Sequence, residues 1–207
     1  MFFHKPKPPI DPIEAAAKAL EERYLAFTAT PLRSSNERRS DLRDLIVQAD
    51  ITHVAFFHGY INDMAMGDDD CKVSVDWLLL GTRHVKIVHA GRIYQIGNFL
   101  IYITRKDSQG GNEPRVIVEN VTPLNQLLGG SQVRPKNEYP CAHPHVFGQI
   151  GKFCIDQEGE INEALAEGNV PEAFAIINAA LHSYGPGMPI CDISMWPSFP
   201  IKPTARR

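Results

Sequence analysis

The chain reads as an α+β fold, and three observations carry that reading. Four short β-rich runs follow one another at 73–81 (VSVDWLLLG), 84–91 (HVKIVHAG), 92–104 (RIYQIGNFLIYIT) and 115–122 (RVIVENVT), split by Gly, Asn or Asp. Helical patterns lie on both sides of them. A long stretch rich in Pro, Gly and Asn separates the strands from the later helices. Strands in a run followed by helices argue for α+β rather than a parallel, doubly wound sheet. The spacing of the runs suggests an antiparallel meander.

Taken in order, MFFHKPKPPIDP is a proline-stiffened arm without the long apolar stretch of a signal peptide. Asp11 caps and Pro12 opens a helix through IEAAAKALEERYLAF, whose Ala, Leu, Glu and Lys favour helix. Ser34, Ser35 and Asn36 offer the cap of a second helix reaching about Ala49. Residues Ile51 to Met66 are ambiguous, β-branched and aromatic at the start and helix-compatible at the end. The acidic turn at 67–70 (GDDD) marks the best boundary, giving an N-terminal helical extension at 1–68 and a main domain at 69–207. Within the main domain VDWLLLG reads as buried on both faces. After the loop at 122–152, GEINEALAEGN and VPEAFAIINAALHSYG form two helices, with Pro171 in a first turn and Gly185 as the closing left-handed cap. The tail from Gly185 has five prolines and cannot hold a long helix.

Composition excludes several classes. The 207 residues are 43% hydrophobic and 22% charged with a net charge of −3, so no basic field invites nucleic acid or an anionic membrane. The arginines at 33, 38, 39 and 43 read as a solvated helix face. No apolar run approaches the roughly 20 residues a membrane span needs. Four cysteines without regular spacing fit a reducing compartment, so the expectation is a soluble cytoplasmic protein.

Chemistry concentrates in Tyr139 to Asp156, YPCAHPHVFGQIGKFCID, which holds two of the four cysteines and two of the eight histidines. Cys154 follows His145 by nine residues. Two readings compete. Cys154 is a reactive thiol, or Cys141, His143, His145 and Cys154 supply the four N/S donors of a tetrahedral zinc site. The spacing is that of no familiar zinc finger, and Cys71, Cys141 and Cys191 read as bystanders.

The block His143-Pro144-His145, then Phe153-Cys154-Ile155-Asp156, then a helix, resembles the ubiquitin-conjugating (E2) family. There a His-Pro-Asn motif precedes an apolar-Cys-Leu-Asp segment and a helix. LHSYGPGMPI (181–190) is similar to the family's proline-rich stretch after that helix, HAGRIYQIGNFLIYIT to its glycine-rich hairpin, and Tyr139-Pro140 to the run-up to the motif. The resemblance spans about residues 70–195 and is nearest to divergent bacterial E2-like proteins with a His-Pro-His-Val segment. His145 stands where the motif has asparagine, and the gap to the cysteine is one residue longer.

The resemblance implies a UBC-like antiparallel four-stranded meander with flanking helices and no cofactor. It implies that Cys154 accepts a ubiquitin-like modifier as a thioester from an E1-like enzyme and passes it to a target amine. His145 would then donate to the oxyanion, Asp156 would orient or deprotonate the amine, and His143 and Pro144 would shape the motif. A non-catalytic UBC/RWD-like binding scaffold is the alternative.

Overall fold

Two capped helices open the fold. The computed structural model describes residues 11–62, 72–105, 115–122, 143–146, 150–152, 157–185, 189 and 192–201. Helix α1 (Pro12–Phe27) starts at Asp11, whose carboxylate accepts from the Ile13 N–H at 2.9 Å. Helix α2 (Ser35–Val47) starts on a capping box. The Ser34 hydroxyl accepts from the Glu37 N–H, and the Glu37 carboxylate accepts from the Ser34 N–H.

The ambiguous segment is a strand. β1 (Ile51–Asn62) pairs antiparallel with β2 (Lys72–Thr82), from Ile51 opposite Thr82 to Asn62 opposite Lys72. The expected boundary at 67–70 lies outside the described residues, but the strands on its two sides are partners. The region 1–68 therefore contributes a strand to the main sheet as well as two helices. A single apolar cluster joins Tyr24, Leu42, Leu45 and Ile51 to Leu78, Leu80, Ile101 and Phe174, so the core runs across that boundary.

The larger sheet has the order β1-β2-β5-β6-β7, with β5 at Phe99–Thr104, β6 at Arg115–Asn120 and β7 at Ile150–Lys152. All its pairings are antiparallel. A smaller sheet, β3-β4-β8, is made by β3 (Val85–His89), β4 (Arg92–Gly97) and β8 (Ser198–Pro200). Ala90 and Gly91, at φ 46° and 72°, make the two-residue turn between β3 and β4, the left-handed pair that matches the twist of a tight hairpin.

The expected simple meander is thus interrupted. RIYQIGNFLIYIT is two strands that part at Asn98 and enter different sheets. Gly97 has φ 134°, open only to glycine, and a Cβ there would sit 2.5 Å from the Asn120 amide. The Asn120 amide donates to the Ile96 carbonyl, and Thr122 Oγ accepts from the Asn98 N–H. The pivot is held by the end of β6.

From Trp77 onward β2 is buried on both faces, as the LLL run suggests, whereas Ser74 and Asp76 earlier in the strand are exposed. Leu78 and Leu80 enter the main core, while Val75 and Trp77 pack with Tyr102 and Ile117 on the other side. Phe57, opposite Trp77 in the register, stacks on the indole with centroids 6.2 Å apart. Gly59 lets the indole lie flat, because a Cβ there would meet it at 3.2 Å.

Helices α3 (Glu158–Ala166) and α4 (Val170–Leu181) close the other side of the core through Ile161, Leu165, Phe174 and Ile177. Gly168, at φ 77°, is the left-handed residue after α3, and Asn169 caps α4. Gly185 is not the cap of α4. That helix ends four residues earlier, at Leu181, where histidine side chains take over its last carbonyls: His143 meets Leu181 O and His182 Nδ1 meets Asn178 O, both at 2.9 Å. The C-terminal ends of α1 and α3 converge on Arg105, whose guanidinium donates to Phe27 O, Ala29 O and Ala166 O at 3.1, 2.9 and 3.4 Å. A cation there complements the negative ends of two helix dipoles.

Residues 192–201 of the tail form regular elements despite its prolines. Asp192 caps a 3-10 turn at Ile193–Met195, Trp196 enters the core, and β8 pairs with β4. None of the described helices is long and apolar enough to cross a membrane.

Candidate functional site

His143, Pro144, His145 and Val146 form a buried turn, with the Val146 N–H donating to His143 O at 3.0 Å. Proline's fixed φ suits the second position of such a turn. A turn of four buried residues must find internal partners for its polar groups, and the His143 ring supplies two. Nε2–H donates to the Leu181 carbonyl at 2.9 Å, and Nδ1 accepts the His145 backbone N–H at 3.1 Å. The first contact needs a donor and the second an acceptor, so the ring is the neutral Nε2–H tautomer.

The surroundings enforce that neutral state. The His143 ring is fully buried, with its centroid 5.8 Å from that of Phe99 at the start of β5. Burial pushes its pKa down to about 3. The Leu181 carbonyl works in the opposite direction with a smaller effect, while His145 and His182 add to the lowering.

His145 is 7% exposed. Its ring lies 5.8 Å from His143 and 6.3 Å from Tyr184, whose ring in turn meets His89 of β3 edge-on at 4.6 Å. The turn thus sits where α4, β5, β3 and the segment after α4 meet. Leu181, Tyr184 and Phe99 are the partners that sequence reasoning did not assign to it. The block LHSYGPGMPI carried a signal for the first two, since it was already singled out beside the motif.

Cys154 and Asp156 lie outside the described residues, as does Cys141. Of the residues expected at the site, the structure describes His143, Pro144 and His145, which it brings together in one turn. The zinc alternative loses a ligand. With Nε2 protonated and Nδ1 accepting from the backbone, His143 has no lone pair left for a metal. Among the described residues no group of three His, Cys, Asp or Glu side chains is placed to hold an ion.

Comparison with known proteins returns no match to a family model, to a curated protein or to a solved structure.

Proposed function

We propose that the chain is an E2-like carrier that takes a ubiquitin-like modifier as a thioester on Cys154 from an E1-like enzyme and transfers it to an amine. The observation that carries this reading is the buried His143-Pro144-His145 turn, braced through the His143 ring and leading in sequence to Cys154. A conjugating thiol must be presented at a fixed place, because transfer depends on close alignment of thioester and amine. Two helices ahead of the antiparallel strands β1, β2, β5 and β6 of one sheet, followed by the turn and two more helices, give further support.

In this mechanism the Cys154 thiolate attacks the modifier's activated C-terminal carbonyl, and the thioester is then opened by a lysine or another amine. Cysteine suits both halves, being a good nucleophile and a good leaving group. His145 donates to the oxyanion through its ring, since its backbone N–H is already bound by His143. Asp156 orients the amine.

Incubation with an E1-like enzyme, modifier and ATP is the test. A reductant-sensitive adduct is expected, abolished in Cys154→Ala and retained in Cys141→Ala. An adduct that persists in Cys154→Ala refutes the assignment, and no adduct in any variant favours the binding scaffold. His145→Ala is expected to slow discharge to an amine by about 10², and His145→Asn to restore part of it. Because His145 is buried, both variants are compared with the parent below their melting transitions.

A further inference from the structure

The β1–β2 register assembles a second set of reactive side chains that the sequence kept apart. His58 lies opposite Asp76 and Tyr60 opposite Ser74, all on one face of the antiparallel pair. Ser74 Oγ is 2.6 Å from His58 Nε2, and His58 Nδ1 is 3.1 Å from Asp76 Oδ1. The carboxylate accepts, so Nδ1 carries the proton. Nε2 is then the free base that takes the hydrogen bond from the serine hydroxyl. This is the connectivity of a nucleophile, a general base and an orienting acid, each within hydrogen-bond reach of the next.

Neighbouring groups hold the arrangement. Arg23 of α1 donates to Phe56 O at 3.2 Å and lies over the Phe56 ring, 5.4 Å from its centroid. From there its guanidinium reaches Asp76 Oδ1 at 3.8 Å. The Tyr60 ring lies 6.3 Å from the His58 ring and is largely exposed, a flat apolar surface beside the serine. His58 and Asp76 are themselves 60% and 64% exposed, so the set is open to solvent and to an incoming acyl donor.

We infer that Ser74 is an activated nucleophile, with His58 as its base and Asp76 as the orienting group, for activated acyl esters, aryl esters above all. In the first step Ser74 Oγ forms a bond to the acyl carbon while its proton passes to His58 Nε2. The bond from that carbon to the leaving-group oxygen then breaks, and His58 returns the proton to that oxygen. Water repeats the sequence on the acyl-serine, releasing the acid and regenerating the hydroxyl. No redox partner or metal enters the balance. This chemistry is separate from that assigned to Cys154, so either assignment can fail without the other.

A Cys154→Ala background removes the thiol assigned to acyl transfer from the test. The protein is treated with an alkyl fluorophosphonate, in which Ser74 Oγ would displace fluoride from phosphorus, and separately with p-nitrophenyl acetate. One phosphonyl group on Ser74, found by intact mass and peptide mapping, is the expected result, with none in Ser74→Ala. His58→Gln is expected to slow labelling and acetate release by about 10², the lower end of what a positioned base contributes. Asp76→Asn is expected to slow them less. All three positions are exposed, and unchanged circular dichroism confirms that each variant is folded. No phosphonylation of the parent, label on other residues only, or equal rates in His58→Gln would overturn the inference and leave a surface hydrogen-bond ladder.

Discussion

A chain beginning at Asp68 is expected to lose cooperative folding. It would lack Tyr24, Leu42, Leu45 and Ile51, all buried in the main core, and β2 would lose its partner from Ile51 to Asn62. Fully burying one large apolar side chain contributes about 1.5–3 kcal/mol, so four represent roughly 6–12 kcal/mol, against about 5–15 kcal/mol for a whole domain. Arg105 would also lose two of its three carbonyl partners, Phe27 O and Ala29 O. Urea titration followed by tryptophan fluorescence and circular dichroism should give a broad, sloping transition for the shortened chain and a sharp one for the full chain. A sharp transition in both would show that residues 69–207 hold a core of their own, as the composition shift at 67–70 first suggested.

Replacing His143 by Phe should cost about 2–6 kcal/mol while keeping the ring's bulk. The Leu181 carbonyl and the His145 N–H would each be left buried without the partner seen here, at about 1–3 kcal/mol apiece. The same ring makes stability depend on pH, and the sign follows from its depressed pKa. An unfolded histidine titrates at its ordinary value near 6.5, whereas the buried ring resists protonation down to about 3. Between these values the unfolded chain binds a proton that the folded chain does not. The contribution is therefore complete above pH 6.5 and is lost as pH falls toward 3, at up to about 1.4 kcal/mol per pH unit. The difference in unfolding free energy between the parent and His143→Phe should shrink from pH 7 to pH 5. A difference independent of pH would mean that the ring titrates alike in the folded and unfolded states.

Features written in neighbouring residues were readable from the chain, and features closed by distant residues were not. Asp11 and Ser34 cap their helices within one turn, so local chemistry decides them. β1 was ambiguous because its fate is set by pairing with β2. The break at Asn98 was invisible because Gly97 is held open by Asn120 and Thr122 from another strand. Gly185 looked like a cap because glycine usually is one, yet His143, on a loop far away in sequence, already holds the carbonyl that such a cap would serve. At the site, His143, Pro144 and His145 were legible as one motif, but the Leu181 carbonyl that the His143 ring meets was not. The pairing of His58 with Ser74 and Asp76 had no local signal, since alternation along a strand shows which residues share a face but not who stands opposite.

Arg92 and Ser198 are hydrogen-bonded across 106 residues of chain. The β3–β4 hairpin can close on its own in microseconds, but a contact of that span must wait until most of the intervening chain has been gathered in. A two-stranded ribbon is marginal by itself, so the small sheet is expected to gain its third strand late on the way to the native state. Slowing that one docking step would prolong the time during which the β4 edge is open to pairing with another molecule, and the yield of refolding would then fall as protein concentration rises.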